Sequence, residues 1–242
     1  MVPWANDPDS KDAVDYLLDV FCDVPGILED MKLLQDTPIA QGDLSTIWRA
    51  VGLRLKSCME SLYRWRAKWE LDFSNTCYPI GLDSLRDLNA IWLEIYPLST
   101  AIFFTKPTHA TGLCLYNSML VLFHRALAKL PSSIVPIATP KVPPLGNCCR
   151  GSNPRVLLAP GDGLVEDIIC EICRIVYYQL LSYSTSSAAL RLMFPLQVAY
   201  RNIDPRSDIA EWLSKVISHI ADVHGFGAVK FAQNSTRVTI VV

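Results

Sequence analysis

Apolar residues recur every three or four positions along most of this chain. In segment 43–73 they fall on one helical face: Trp48, Val51, Leu55, Cys58, Leu62, Trp65 and Trp69. Such a stripe predicts one long amphipathic helix that packs against other helices. The opposite face carries basic residues that we expect in solvent: Arg49, Arg54, Lys56, Arg64, Arg66 and Lys68.

The same periodicity predicts further helices on both sides of segment 43–73. They span residues 11–21, 25–35, 83–104, 108–130, 164–181, 188–202 and 207–223. Pro25 suits the first turn of a new helix, Pro97 predicts a bend, and Thr108 is a candidate N-cap. Residues 236–242 are rich in β-branched side chains and favour a strand, but no partner strand is evident. We therefore predict an all-α fold of about eight helices.

Residues 131–160 interrupt the helical pattern. They contain seven of the sixteen prolines and predict a long surface loop. We expect a single domain over residues 1–242, with helical halves at 11–130 and 161–228 and a tail at 229–242.

Composition excludes several classes of protein. Half of the 242 residues are hydrophobic and 19% are charged, which is enough apolar surface for a core. The net charge of −2 supplies no field to hold a phosphate backbone, so we expect no direct nucleic-acid partner. No apolar run reaches the roughly 20 residues that span a bilayer, and the acidic N-terminus lacks a signal-peptide pattern. We expect an intracellular protein, nuclear or cytoplasmic, with no membrane partner.

Eight cysteines occur, and we expect reduced thiols because a core of this size needs no disulfides. Cys170 and Cys173 have the spacing of half a zinc site or of a redox dithiol. No second pair at matching spacing accompanies them, and the flanking pattern is helical. We interpret them as structural thiols and predict no metal and no cofactor.

Recognisable catalytic motifs are absent, so candidate site residues are polar groups on otherwise apolar helices. These are Tyr116, His124, Tyr177, Tyr178 and Arg191. In an apolar pocket they would supply hydrogen bonds to a ligand or substrate. Each has a structural alternative, since a hydrogen-bonded core histidine or tyrosine is common.

Two stretches together resemble a known family. Residues 102–127 contain Leu115-Tyr116-Asn117 followed by His124-Arg125, and residues 166–226 contain EDIICEICRIVYYQL, LRLMFPLQVAYRNI and AEWLSKVISHIADVHGF. This combination is similar to the regulatory domain of fungal zinc-cluster transcription factors, over roughly residues 20–228.

The resemblance implies an all-α regulatory domain that follows a DNA-binding module of six cysteines on two zinc ions. That cysteine pattern does not occur in this sequence. The resemblance therefore carries the fold and leaves DNA binding by this chain unsupported.

Three functional interpretations follow. The first is a regulator of a fungal secondary-metabolite pathway that binds a hydrophobic small molecule or pairs with a partner transcription factor. The second is a recruited biosynthetic enzyme, a cofactor-free cyclase or Diels-Alderase-type pericyclase that uses an apolar helical pocket. The third is a truncated gene model that has lost its zinc cluster.

Overall fold

The computed structural model describes residues 11–36, 41–73, 76–84, 96–142, 156–182 and 186–224. Within them the elements are α1 (Ala13–Asp36), α2 (Gln41–Phe73), β1 (Cys77–Gly81), β2 (Thr100–Phe104), α3 (Pro107–Ala128), α4 (Val135–Ala138), α5 (Val165–Ser182), α6 (Ser186–Asn202) and α7 (Asp208–His224). Seven helices and one two-stranded sheet in this part of the chain confirm the all-α prediction.

The chain divides into two compact units. Of the described residues, those within 11–72 and 123–142 belong to the first unit, and those within 73–122 and 156–224 belong to the second. One of the boundaries falls inside α3, between Leu122 and Phe123. The single domain that we predicted, with halves on either side of the Pro-rich loop, stays a prediction.

Helix α1 corrects the expectation of two shorter helices at 11–21 and 25–35. It continues through Pro25, which is exposed. A proline inside a helix removes one backbone hydrogen bond. The buried side chains Leu17, Val24, Ile27, Met31 and Leu34 lie on both sides of Pro25 at helical spacing. Burying one continuous apolar face outweighs the lost hydrogen bond.

Helix α2 confirms the predicted helix and its apolar stripe. All seven stripe residues are buried, and the indole nitrogen of Trp65 donates a hydrogen bond of 2.5 Å to the carbonyl of Ala13 on α1. One residue of the predicted basic face departs from expectation. Arg66 is fully buried, 3.6 Å from the Glu70 carboxylate and over the Trp69 ring, because both lie one turn farther along the helix.

The first unit also contains part of the Pro-rich segment. Residues 135–138 form the short helix α4, and a Cβ added at Gly52 of α2 would lie 2.8 Å from the Cγ2 atom of Ile134. This close approach favours glycine at position 52, because an added Cβ would force the Ile134 side chain to move. Residues 143–155 lie outside the described part of the chain, and so does the strand predicted at 236–242.

The second unit corrects the helix predicted at 83–104. Residues 100–104 form β2, which pairs antiparallel with β1 so that Cys77 faces Phe104 and Gly81 faces Thr100. Pro97 disfavours a helix at this position, and the β-branched and aromatic residues after it suit a strand. Residues 85–95 of the prediction lie outside the described residues.

Helix α3 begins at Pro107, so Thr108 lies inside the helix and is not its N-cap. Proline fits this first position because its missing N–H would have no partner within the helix. In the second unit, α5 packs on β2 and α6, and α6 packs on α7.

Candidate functional site

A turn built on two glycines precedes α5. Gly161 and Gly163 have φ angles of 81° and 85°, in the left-handed region that favours glycine. A Cβ at Gly163 would also lie 3.2 Å from the Cβ of Asp167. The Asp167 carboxylate accepts a 2.7 Å hydrogen bond from the Leu164 amide, as in a capping box. These residues fix where segment 156–163 meets the first turns of α5.

A cavity of about 340 Å³ lies between this segment and α5. The residues that line it are Val156, Leu157, Leu158, Ala159, Asp162, Asp167, Cys170, Glu171 and Arg174. Its wall therefore combines aliphatic groups from the segment with charged groups, most of them from one face of the helix. A concave site with an apolar wall and a few placed polar groups is the usual form of a small-molecule site.

Glu171 is the buried centre of the polar contacts at this cavity. Only 3% of its surface is exposed, and each carboxylate oxygen accepts a hydrogen bond. Oε1 accepts from the side-chain amide of Asn117 on α3 at 2.8 Å, and Oε2 accepts from the backbone amide of Leu158 at 2.5 Å. These two bonds compensate the cost of burying a carboxylate and join α3, α5 and the cavity wall through one side chain.

A second polar contact joins α3 to α5. The Gln179 side-chain amide donates to the Thr111 hydroxyl at 3.0 Å, and its oxygen accepts from the Cys114 thiol at 3.6 Å. Gln179 is 1% exposed, and burial raises the pKa of the Cys114 thiol, with a further contribution from Glu171. A neutral thiol is therefore the form that donates to Gln179.

Arg174 and Asp162 carry opposite charges at the cavity wall. The Arg174 guanidinium donates a 3.3 Å hydrogen bond to the Val156 carbonyl. Within the described residues, it forms no ion pair with a carboxylate, and the exposed side chain of Asp162 has no hydrogen-bond or ionic partner. Arg174 and Asp162 can therefore interact with a bound molecule.

Three of the five predicted site residues are buried tyrosines of the second unit. Tyr116 lies on α3, and Tyr177 and Tyr178 lie on α5. The Tyr177 ring packs 4.5 Å from the ring of Tyr96, and the Tyr178 ring packs 5.1 Å from that of Phe103. The Tyr177 hydroxyl is buried and has no hydrogen-bond partner among the described residues. Burial raises the pKa of this hydroxyl.

The other two predicted residues lie elsewhere. His124 is half-buried on α3, in the portion that belongs to the first unit, and burial lowers its pKa. Arg191 is exposed on α6. None of the five predicted residues belongs to the lining of the cavity.

The cysteine pair of α5 is divided between two environments. Cys173 is fully buried, whereas Cys170 is half-buried and lines the cavity. Burial raises the pKa of both thiols, and Asp167 adds to the shift at Cys170. All six cysteines that the structure describes are free thiols, and Cys148 and Cys149 lie outside the described residues.

The described part of the chain contains no group of three or more His, Cys, Asp or Glu side chains placed to hold a metal ion. In the same part, no helix has the length and apolar composition needed to cross a membrane.

The site residues predicted from the sequence do not include Glu171, Asn117, Asp162 or Arg174. They are three tyrosines, a histidine and an arginine. A usable signal was present, because Asn117 and Glu171 are polar residues on the apolar faces of two predicted helices. Buried polar residues need hydrogen-bond partners. A polar residue on the apolar face of each helix therefore predicts that the two helices pack with these residues in contact.

Comparison of the chain with known protein families, with curated proteins and with solved structures finds no match. The resemblance to the regulatory domain of zinc-cluster transcription factors therefore stays a prediction.

Proposed function

We propose that this chain is a regulatory domain that binds a small molecule and controls transcription together with a separate DNA-binding protein. The resemblance suggests the setting, a fungal secondary-metabolite pathway, with the domain acting in the nucleus or moving there from the cytoplasm. The observation that carries the ligand-binding part is the 340 Å³ cavity, whose buried Glu171 also binds α3.

Through its hydrogen bonds, Glu171 can transmit the effect of a ligand from the cavity to α3. A molecule that contacts the cavity wall acts on segment 156–159, which the Leu158 amide ties to Glu171. The other carboxylate oxygen holds Asn117 on α3. A ligand shifts the conformation only as far as it binds one arrangement of these contacts better than another. Regulation therefore requires a ligand that touches the cavity wall.

The decisive experiment replaces the native gene in the producing organism with genes that encode substitutions of Cys170, a residue that lines the cavity. Cys170→Phe places a ring into the cavity volume, while Cys170→Ala leaves the cavity open at the same position. We expect Cys170→Phe to lower the transcripts of neighbouring pathway genes as far as gene deletion does, and Cys170→Ala to keep them near normal. Thermal unfolding of both purified variants checks that each one folds.

Two results would contradict the proposal. Transcripts that are unchanged by gene deletion would exclude a regulator. Equal effects of Cys170→Phe and Cys170→Ala would exclude the cavity as the ligand site.

The partner part of the proposal has its own test. Affinity purification of the tagged chain from the native organism should recover a DNA-binding protein, and the recovered complex should bind the promoters of the pathway genes. A chain that behaves as a monomer at native concentration and recovers no partner would contradict this part.

A second candidate function is a cofactor-free cyclase. The observation that favours it is the Tyr177 hydroxyl, a hydrogen-bond donor in an apolar environment without a partner among the described residues. Such a donor can polarise a substrate carbonyl. For a cyclase, Tyr177→Phe should cause an uncyclised precursor to accumulate while pathway transcripts stay constant. For a regulator, precursor and product should fall together with the transcripts.

A further inference from the structure

We infer that the cavity at the start of α5 binds a small zwitterion, an amino acid with an ammonium and a carboxylate group. This inference rests on the proposed ligand-binding function and names the class of ligand. It follows from the placement of the charges at the cavity wall.

The carboxylates are concentrated at one end of the site. Asp162 lies in the glycine turn and Asp167 in the first turn of α5, and both are exposed. Asp167 already accepts the Leu164 amide, whereas Asp162 has no side-chain partner among the described residues. An ammonium group on a ligand would satisfy Asp162 and lie within the field of Asp167.

The positive charge is Arg174, seven residues after Asp167 on the same helix. That spacing separates the two backbone positions by about 10 Å along the helix axis. Arg174 is half-buried, and its guanidinium is held by the Val156 carbonyl at 3.3 Å. It forms no ion pair in the described part of the chain. A guanidinium fixed in this way matches the planar shape of a carboxylate.

Glu171 lies between these two positions in the sequence, and each of its oxygens already accepts one hydrogen bond, from Asn117 and from Leu158. A simple amine would leave Arg174 uncompensated beside it, and a simple carboxylic acid would meet the field of Asp162 and Asp167. A zwitterion supplies a carboxylate to Arg174 and an ammonium group to the aspartates, so neither electrostatic cost arises. Leu157 and Ala159 offer the apolar wall for its carbon chain.

Four probes with the same number of carbons separate these possibilities. L-Leucine and ε-aminocaproate are zwitterions with short and long charge separation, and hexylamine and hexanoate each keep one charge. Saturation-transfer NMR and isothermal titration calorimetry measure their binding to the intact chain. We expect at least one zwitterion to bind with a Kd below about 1 mM and at least tenfold more tightly than either single-charge probe.

Charge-removing variants locate the binding. Arg174→Gln should weaken the zwitterion at least tenfold without weakening hexylamine, and Asp162→Asn should weaken the zwitterion without weakening hexanoate. The matched controls are Arg201→Gln and Asp208→Asn, which remove the same charges at exposed positions on α6 and α7. Because Asp162 is exposed, Asp162→Asn is expected to fold even where Arg174→Gln does not.

Each outcome bears on the inference. Failure of both zwitterions to bind would overturn it, and so would a single-charge probe that binds as tightly as they do. In the latter case, loss of that probe in Cys170→Phe would leave the proposed ligand-binding function intact and reject only the zwitterion. Unchanged transcripts after gene deletion would instead reject the regulatory function, whatever the cavity binds.

Discussion

The α1–α2 part of the molecule and the α3–α5 part both pack helices together, but they bury different chemistry. Both α1 and α2 bury apolar side chains, the Trp65 indole and the Cys58 thiol of α2 donate to Ala13 and Asp23 of α1, and the Arg54–Asp30 ion pair lies at the surface. Between α3 and α5 the buried contacts include Asn117 with Glu171. Both pairs of helices are joined by hydrogen bonds, but α3–α5 also buries a charged carboxylate.

The two kinds of contact differ in how strictly they fix the position of one helix against another. Apolar surfaces are non-directional, and many similar side chains can exchange places with a small loss of stability. A buried carboxylate is tolerated only where both oxygens find donors. We therefore expect Glu171 to fix the register of α5 against α3 and segment 156–159. Four experiments test these two kinds of contact.

The largest effect is expected from Glu171→Ala. It leaves the Asn117 amide and the Leu158 N–H buried without their acceptor, and we expect a loss of about 3 kcal/mol in the free energy of unfolding. Urea denaturation measures it. The matched control is Glu166→Ala, an exposed glutamate one turn earlier on α5. An equal loss of unfolding free energy in the two variants would mean that the buried hydrogen bonds of Glu171 do not stabilise the fold.

Gly52→Ala tests the first unit by steric means. The new Cβ would lie 2.8 Å from Ile134 and 3.4 Å from the Cβ of Ala138. Overpacking costs about 1–3 kcal/mol, and the higher helix propensity of alanine returns up to about 1 kcal/mol. We expect a net loss of about 1 kcal/mol by urea denaturation. Gly81→Ala, where an added Cβ meets nothing within 4 Å, is the control and should be nearly neutral.

A pH titration tests the histidine of α3. Burial lowers the pKa of His124 below its ordinary value of 6.5 in the folded state, so the unfolded chain binds the proton first as the pH falls. The contribution of the neutral His124 imidazole to the free energy of unfolding should be fully present above about pH 6.5. Below that pH the free energy of unfolding should fall, by less than about 1.4 kcal/mol per pH unit for this imidazole. Urea denaturation at several pH values measures the slope.

His124→Gln should make that decline shallower without abolishing it. Burial and Lys106 also lower the pKa of His109, which therefore contributes a slope of the same sign. A decline equally steep in His124→Gln and in the wild type would contradict this assignment.

The smallest effect is expected from the surface ion pair of the α1–α2 part. Arg54 and Asp30 are both well exposed, at 47% and 41% of their side-chain surface. Such pairs contribute about 0.2–1 kcal/mol, and added salt weakens them. A double-mutant cycle with Arg54→Gln and Asp30→Asn measures the coupling energy. A coupling as large as the Glu171→Ala effect would remove the distinction between the two parts.

The candidate site was the least predictable part of the molecule. The positions of Tyr116, Tyr177 and Tyr178 on apolar helices were evident in the sequence, and these residues are buried, but the cavity is lined by other side chains. Its wall depends on the glycine turn at residues 161–163 and on Glu171, whose Asn117 partner is 54 positions away in the sequence. A periodic pattern carries no information on which distant polar group will supply a partner.

The sequence by itself determined the helical class, the stripe of α2 and the positions of α3, α5, α6 and α7. Helical periodicity and termination are local properties that neighbouring residues carry. Only the tertiary structure decided that α1 continues through Pro25, that β2 pairs with β1, and that Glu171 meets Asn117 at a cavity. Each of these outcomes depends on free energy gained between residues distant in the sequence, because burial and polar satisfaction are settled only when elements pack together.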